Sequence, residues 1–202
     1  MKRFSSVVLI WLLLLGLCAV AVVLAFAHVD VPLARYFWSS GRFLRPLGGT
    51  LGAAVILSME SAIVLVLILT RLVRGRSSPF RDALLIACLT SISSYAVNSY
   101  VLKVLFGVPP PMAVMHGVRH TFNFWMGAAN SSFPSGHMVL AGAFAGVLMR
   151  LYRVSIWPLA ALLLLAAGLM VFGGWHFLSD VIAGSFIGLS AGVLAGEAWA
   201  RS

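Results

Sequence analysis

VVLIWLLLLGLCAVAVVLAFA, residues 7–27, runs without a charged side chain or a proline. At about 1.5 Å per residue, a helix of this length matches the roughly 30 Å hydrocarbon core of a bilayer. The segment therefore predicts a membrane-spanning helix. Its flanks, Met1-Lys2-Arg3 and Ala25-Phe26-Ala27, superficially resemble a signal peptide with a small-residue cleavage site. The apolar run exceeds the usual signal core of about 7–15 residues, which favours a retained anchor.

Similar runs occupy 51–70, 83–106, 154–172 and 181–200, and a shorter one lies at 138–149. The short run would rise only about 18 Å as a helix, so it crosses only if adjacent polar turns sink inward and Arg150 snorkels outward. With 61% hydrophobic and 9% charged residues over 202 positions, the composition is that of a chain whose solvent is lipid. The expectation is an all-α integral membrane bundle of six transmembrane helices forming a single domain, residues 1–202, with no linker.

The excess of positive charge bears on orientation. With the N-terminus inside, the inner segments hold Lys2, Arg3, Arg71, Arg74, Arg76, Arg81, Arg150, Arg153 and Arg201, and the outer ones hold Arg35, Arg42, Arg45, Lys103 and Arg119. Nine cations against five favour N-in and C-in. The loops bearing Lys103, His137 and His176 then share the outer, periplasmic face of a bacterial-type inner membrane. These charges are scattered over short loops without a basic, aromatic-interleaved surface, which excludes nucleic acid as a partner. Cys18 and Cys88 fall inside apolar runs and read as packing residues.

Several features read first as structure. Gly184, Gly188, Gly192 and Gly196 repeat every four residues and lay a smooth stripe along one helical face. Ser91, Ser93, Ser94, Tyr95, Asn98, Ser99 and Tyr100 make a polar stretch that should turn inward. Residues 31–45 mix aromatic, aliphatic and cationic side chains in the manner of an interfacial helix, or of a lid beside an outer site. Glu60 lies mid-span, where an acid must be paired, protonated or hydrated. It reads as a hydrogen-bonded structural group, with a proton path or polar pocket as the alternative.

The chemistry is concentrated in Phe133-Pro134-Ser135-Gly136-His137, with His176 and Asp180 beyond. Proline sets a turn, serine offers a hydroxyl, and glycine lets the backbone approach a ligand. A helix starting here would point free N–H groups and its positive dipole end at an anion. His176 and Asp180, spaced i, i+4, share a helical face, so the carboxylate can hold one ring nitrogen while the other faces a substrate. With five acids in the chain, no acidic cluster suggests a metal, and no cofactor is expected.

Ser-Phe-Pro-Ser-Gly-His followed by His-x-x-x-Asp-x-x-x-Gly resembles the type 2 phosphatidic acid phosphatase superfamily of membrane lipid phosphatases and vanadium haloperoxidases, over about residues 102–184. The resemblance implies that His176 attacks phosphorus to form a phosphohistidine, Asp180 orients it, and His137 protonates the leaving lipid oxygen. Ser135, the Gly136 amide and Lys103 would bind the phosphoryl oxygens.

Two positions depart from the family pattern. Pro110-Pro111 stands where Arg-Pro follows the lysine, and Met170 stands where an arginine precedes the nucleophile by six residues. Losing one such cation could cost about 100-fold or more in rate. Arg119, beside His120 in the loop 112–132, is the candidate replacement phosphate-binding cation, with a headgroup-level charge contacting lipid phosphates as the alternative.

The implied activity is hydrolysis of a lipid phosphate or diphosphate, of the polyprenyl diphosphate, phosphatidate, phosphatidylglycerol phosphate or lipid A type. Lipid-to-lipid phosphotransfer is an alternative, as is a non-catalytic lipid-phosphate-binding protein lacking both arginines. Glu60 keeps a transporter in view. The expected partners are the substrate and membrane lipids, and no protein partner is predictable.

Overall fold

In the computed structural model, which describes residues 2–48, 50–75, 78–128 and 130–201, every regular element is helical. Helix α1 (Lys2–Leu24) passes through a π turn (Ala25–Val29) into α2 (Asp30–Phe37), and a 3-10 segment (Ser40–Leu47) leads to α3 (Thr50–Arg74). Helix α4 (Pro79–Val97) continues through a second π turn (Asn98–Leu102) into α5 (Lys103–Phe106), followed by the short α6 (Pro111–Met115). The last three long elements are α7 (Gly136–Leu151), α8 (Ile156–Phe172) and α9 (Leu178–Arg201). Arg76, counted above among the inner cations, lies outside the described residues.

Among the described residues, five helical stretches are long and apolar enough to cross a membrane: Val8–Phe37, Ser40–Arg74, Pro79–Met115, Arg153–Phe172 and Leu178–Arg201. Their outer faces carry the apolar side chains that lipid would solvate, among them Leu9, Leu13, Leu17, Val23, Leu164 and Leu165. The short run 138–149 falls within α7, whose 16 residues would rise about 24 Å. That helix lies in the middle of the protein, with Met138, Val139, Leu140, Ala143 and Val147 buried. Its neighbours are helices more than lipid, so bilayer thickness does not set its length.

The glycine stripe explains how α7 is held. A Cβ at Gly184, Gly188 or Gly192 would lie 2.6, 2.6 or 2.2 Å from the carbonyl oxygens of Ser135, Val139 and Ala143. Only glycine permits that approach of two backbones. Helix α9 also receives α1, through an edge-on contact of Trp11 with Phe186.

Two expectations need correction. Residues 31–45 do not form one helix: 30–37 continue the first helix through the π turn, and 40–47 form a separate short element. The polar stretch of α4 and the second π turn does not turn inward as a whole: Ser91, Asn98 and Ser99 are buried, whereas Ser93 and Tyr100 are exposed. Polar groups at successive positions of a helix cannot all share one face.

Candidate active site

Local sequence sets the turn at Pro134-Ser135-Gly136. Ser135 caps α7, its hydroxyl oxygen accepting from the Met138 amide at 3.4 Å, so the first N–H groups of α7 open at Gly136 and His137. The turn is fixed on two sides: the Asn98 side-chain amide donates to the Pro134 carbonyl at 3.2 Å, and the Ser135 N–H donates to the Asp180 carbonyl at 3.0 Å. Gly136 is required by the Tyr95 ring, which a Cβ would meet at 2.8 Å.

The histidines come from separate elements and meet: His137 is in the first turn of α7, and His176 lies in the loop just before α9, so it does not share a helical face with Asp180 as expected. Asp180 Oδ2 accepts from the Phe177 amide at 2.9 Å and lies 3.4 Å from His176 Nδ1. His176 Nε2 lies 3.5 Å from His137 Nδ1. A carboxylate therefore holds one nitrogen of His176 and directs the other toward His137. All three side chains are buried.

Beside them is a cavity of about 330 Å³ whose walls include Lys103, Ser131, Gly136, His137 and His176, with Arg45 and Tyr95. Its residues come from the starts of α3 and α7, the end of α4, from α5, and from the loops before α7 and between α8 and α9, so the chemistry-bearing groups share one end of the bundle. Of the residues predicted from sequence, Lys103, Gly136, His137 and His176 line this cavity, while Asp180 and Ser135 stand behind them, fully buried. Arg119 does not line it and is exposed. Among the described residues, no three His, Cys, Asp or Glu side chains cluster to hold a metal ion.

Sequence reasoning missed a supporting network. Asp30, brought inside just after the first π turn, accepts from both the backbone and the hydroxyl of Ser179, next to Asp180. His120 lies 3.7 Å from Asp30, stacked on Phe26 and packed against Phe177. Burial pushes the His120 imidazole below its ordinary value, against a smaller opposing pull from the Asp180 charge. The ring is thus neutral at neutral pH, and the stability it contributes is present above about pH 6.5 and lost as pH falls below that. The signal in the sequence was Asp30 itself, a carboxylate at the end of an apolar run.

These features define a helical membrane protein with a cation-lined, histidine-bearing cavity where its helix ends meet. The sequence model of the PAP2 superfamily matches residues 83–200, and the chain belongs to that superfamily, the family its motifs resemble. No curated protein matches the sequence. Among solved structures, the fold is similar to that of the first transmembrane PAP2 type phosphatidylglycerolphosphate phosphatase from Bacillus subtilis. That likeness has a TM-score of 0.52 and 18% identity over 100% of this chain and 98% of the other.

Proposed function

We propose that the protein is a lipid phosphatase that hydrolyses a lipid phosphate or diphosphate at the outer face of a bacterial-type inner membrane. The observation that carries the reading is the series Asp180, His176, His137, spaced 3.4 and 3.5 Å, opening on a cavity that Lys103 also lines. A lone pair of His176 Nε2 attacks phosphorus, and the bond from phosphorus to the lipid oxygen breaks as His137 gives that oxygen a proton. Water, deprotonated by His137, then displaces the phosphoryl group from His176 and releases phosphate. Lys103 and the Gly136 N–H offset the charge that builds on the phosphoryl oxygens, while Ser135, expected to join them, is buried behind the cavity and caps α7.

The cavity is at the small end of the ligand-pocket range of about 300–1,000 Å³, which suits a phosphorylated headgroup whose acyl or prenyl chains stay in the bilayer. In the proposed topology α7 completes six crossings, with both termini inside. Arg71, Arg74, Arg81, Arg150 and Arg201 support it, since they belong to the helix ends remote from the cavity. Arg119 suits a headgroup contact outside the cavity.

The test is phosphate release by the purified protein from phosphatidate, phosphatidylglycerol phosphate, polyprenyl diphosphate and a lipid A, with His176→Ala as the blank. Phosphatidylglycerol phosphate leads the panel because it appears in the structural relative's name. Turnover that survives His176→Ala would refute the nucleophile. A newly phosphorylated lipid in place of free phosphate would favour transfer, and binding without turnover would favour the non-catalytic reading.

A further inference from the structure

Both positions where the family pattern has a phosphate-clamping arginine are apolar here. Pro110 is on the cavity wall, and Met170 is buried with its sulfur 3.8 Å from Ser135 Oγ. A site for a group with two or more negative charges would then rely on Lys103 and backbone donors.

A second cation reaches the same cavity from an element outside the matched motifs. Arg45, in the 3-10 segment Ser40–Leu47, lines the cavity together with Lys103, His137 and His176. The segment is fastened at both ends to the loop that carries His176. A Cβ at Gly41 would lie 1.8 Å from the Phe172 carbonyl oxygen, and one at Gly48 would lie 1.8 Å from the Trp175 indole. Such contacts hold the backbone of this segment against the end of α8 and the residues just before His176.

The guanidinium itself is preorganised. It lies 3.5 Å from the centroid of the Trp38 ring, and its Nη2 donates to the Trp38 carbonyl. Its Nε is buried without a hydrogen-bond partner, 3.7 Å from where a Cβ on Gly174 would stand. A buried donor left unmade is costly, and an arginine's fixed fork of N–H groups matches the spacing of phosphoryl oxygens.

We infer that Arg45 is the arginine that grips the phosphoryl group in this protein, supplying from the segment before α3 the contact that Pro110 and Met170 cannot make. The inference rests on the phosphatase reading and adds a binding residue to it. Arg42, exposed three residues earlier on the same segment, represents the simpler role of an interfacial cation.

The experiment uses full-length protein in liposomes, with whichever lipid phosphate the panel shows to be hydrolysed and orthovanadate as a phosphoryl mimic. Arg45→Ala is expected to lower kcat/KM about 100-fold and to weaken vanadate inhibition in parallel, whereas Arg42→Ala changes either by less than about threefold. Arg45→Lys, which keeps the charge without the fork, should recover part of the activity and Arg45→Gln none. The inference is overturned if Arg45→Ala stays within about threefold of the parent, or if Arg42→Ala loses as much. Should Arg45→Ala fail to fold, equal activity of the Lys and Gln variants overturns it. Turnover that persists in His176→Ala would instead refute the phosphatase mechanism, a result separate from any of these.

Discussion

The backbone N–H of Ser135 donates to the carbonyl oxygen of Asp180 at 3.0 Å, so the turn before α7 and the helix bearing the histidine's carboxylate partner are joined main chain to main chain. That bond exists because α7 and α9 close to backbone contact at Gly184, where a Cβ would lie 2.6 Å from the Ser135 oxygen. Gly184→Val should force the helices apart, destabilising the protein by about 1–3 kcal/mol and lowering kcat/KM by at least about 100-fold. Gly16→Ala, on α1 with no atom within 4 Å of the added carbon, should melt and turn over like the parent. Thermal melts in detergent alongside phosphate release would check both, and a fully active Gly184→Val would show that this contact does not set the site.

Asp30 acts one step behind the chemistry. It does not line the cavity, yet it satisfies the amide and hydroxyl of Ser179, the residue before Asp180. Removing it leaves buried donors without acceptors, at about 1–3 kcal/mol each. Asp30→Ala should therefore lower the melting temperature and reduce kcat about tenfold or more with KM little changed, because binding groups stay in place while Asp180 and His176 lose their support. Asp30→Asn, which keeps an acceptor for the Ser179 amide, should recover a good part of both. A rise in KM with kcat intact would instead mean that Asp30 bears on substrate binding.

The local parts of this arrangement were legible in the sequence, and the long-range parts were not. Ser135, Gly136 and His137 are contiguous, and His176 and Asp180 are four residues apart, so spacing marked them as a cluster and the family resemblance implied their roles. The apolar runs gave the all-helical membrane class, because lipid demands such runs of any helix it surrounds. Asp30 and Ser179 are far apart in the chain, and hydropathy has no term for one helix end capping another. Arg119 was legible as a cation but not in direction: the loop turns the adjacent His120 inward between Phe26 and Phe177 and leaves Arg119 exposed. Arg45 read as an interfacial residue because the packing of Gly41 and Gly48 on α8 and Trp175 is visible only in three dimensions.

Glu60 joins three helices. Its Oε1 accepts from the Ser91 hydroxyl of α4 at 2.9 Å, and the same hydroxyl lies 3.0 Å from the Leu140 carbonyl of α7, one turn beyond His137. A hydroxyl has one proton, so two acceptors compete for it unless Glu60 is neutral and donates to Ser91, releasing the serine proton to Leu140. The partnerless Oε2 points the same way, since a buried ionised carboxylate mid-span costs several kcal/mol. Glutamine has the same shape, no charge and a donor of its own. Glu60→Gln is therefore expected to keep stability within about 1 kcal/mol and turnover within about threefold, while Glu60→Ala, which strands Ser91 and opens a void between α3 and α7, should lose about 2 kcal/mol or more. Melting curves and phosphate release on the same preparations decide it: a Glu60→Gln protein that melts like the parent but does not turn over would place this acid in proton transfer and not in packing.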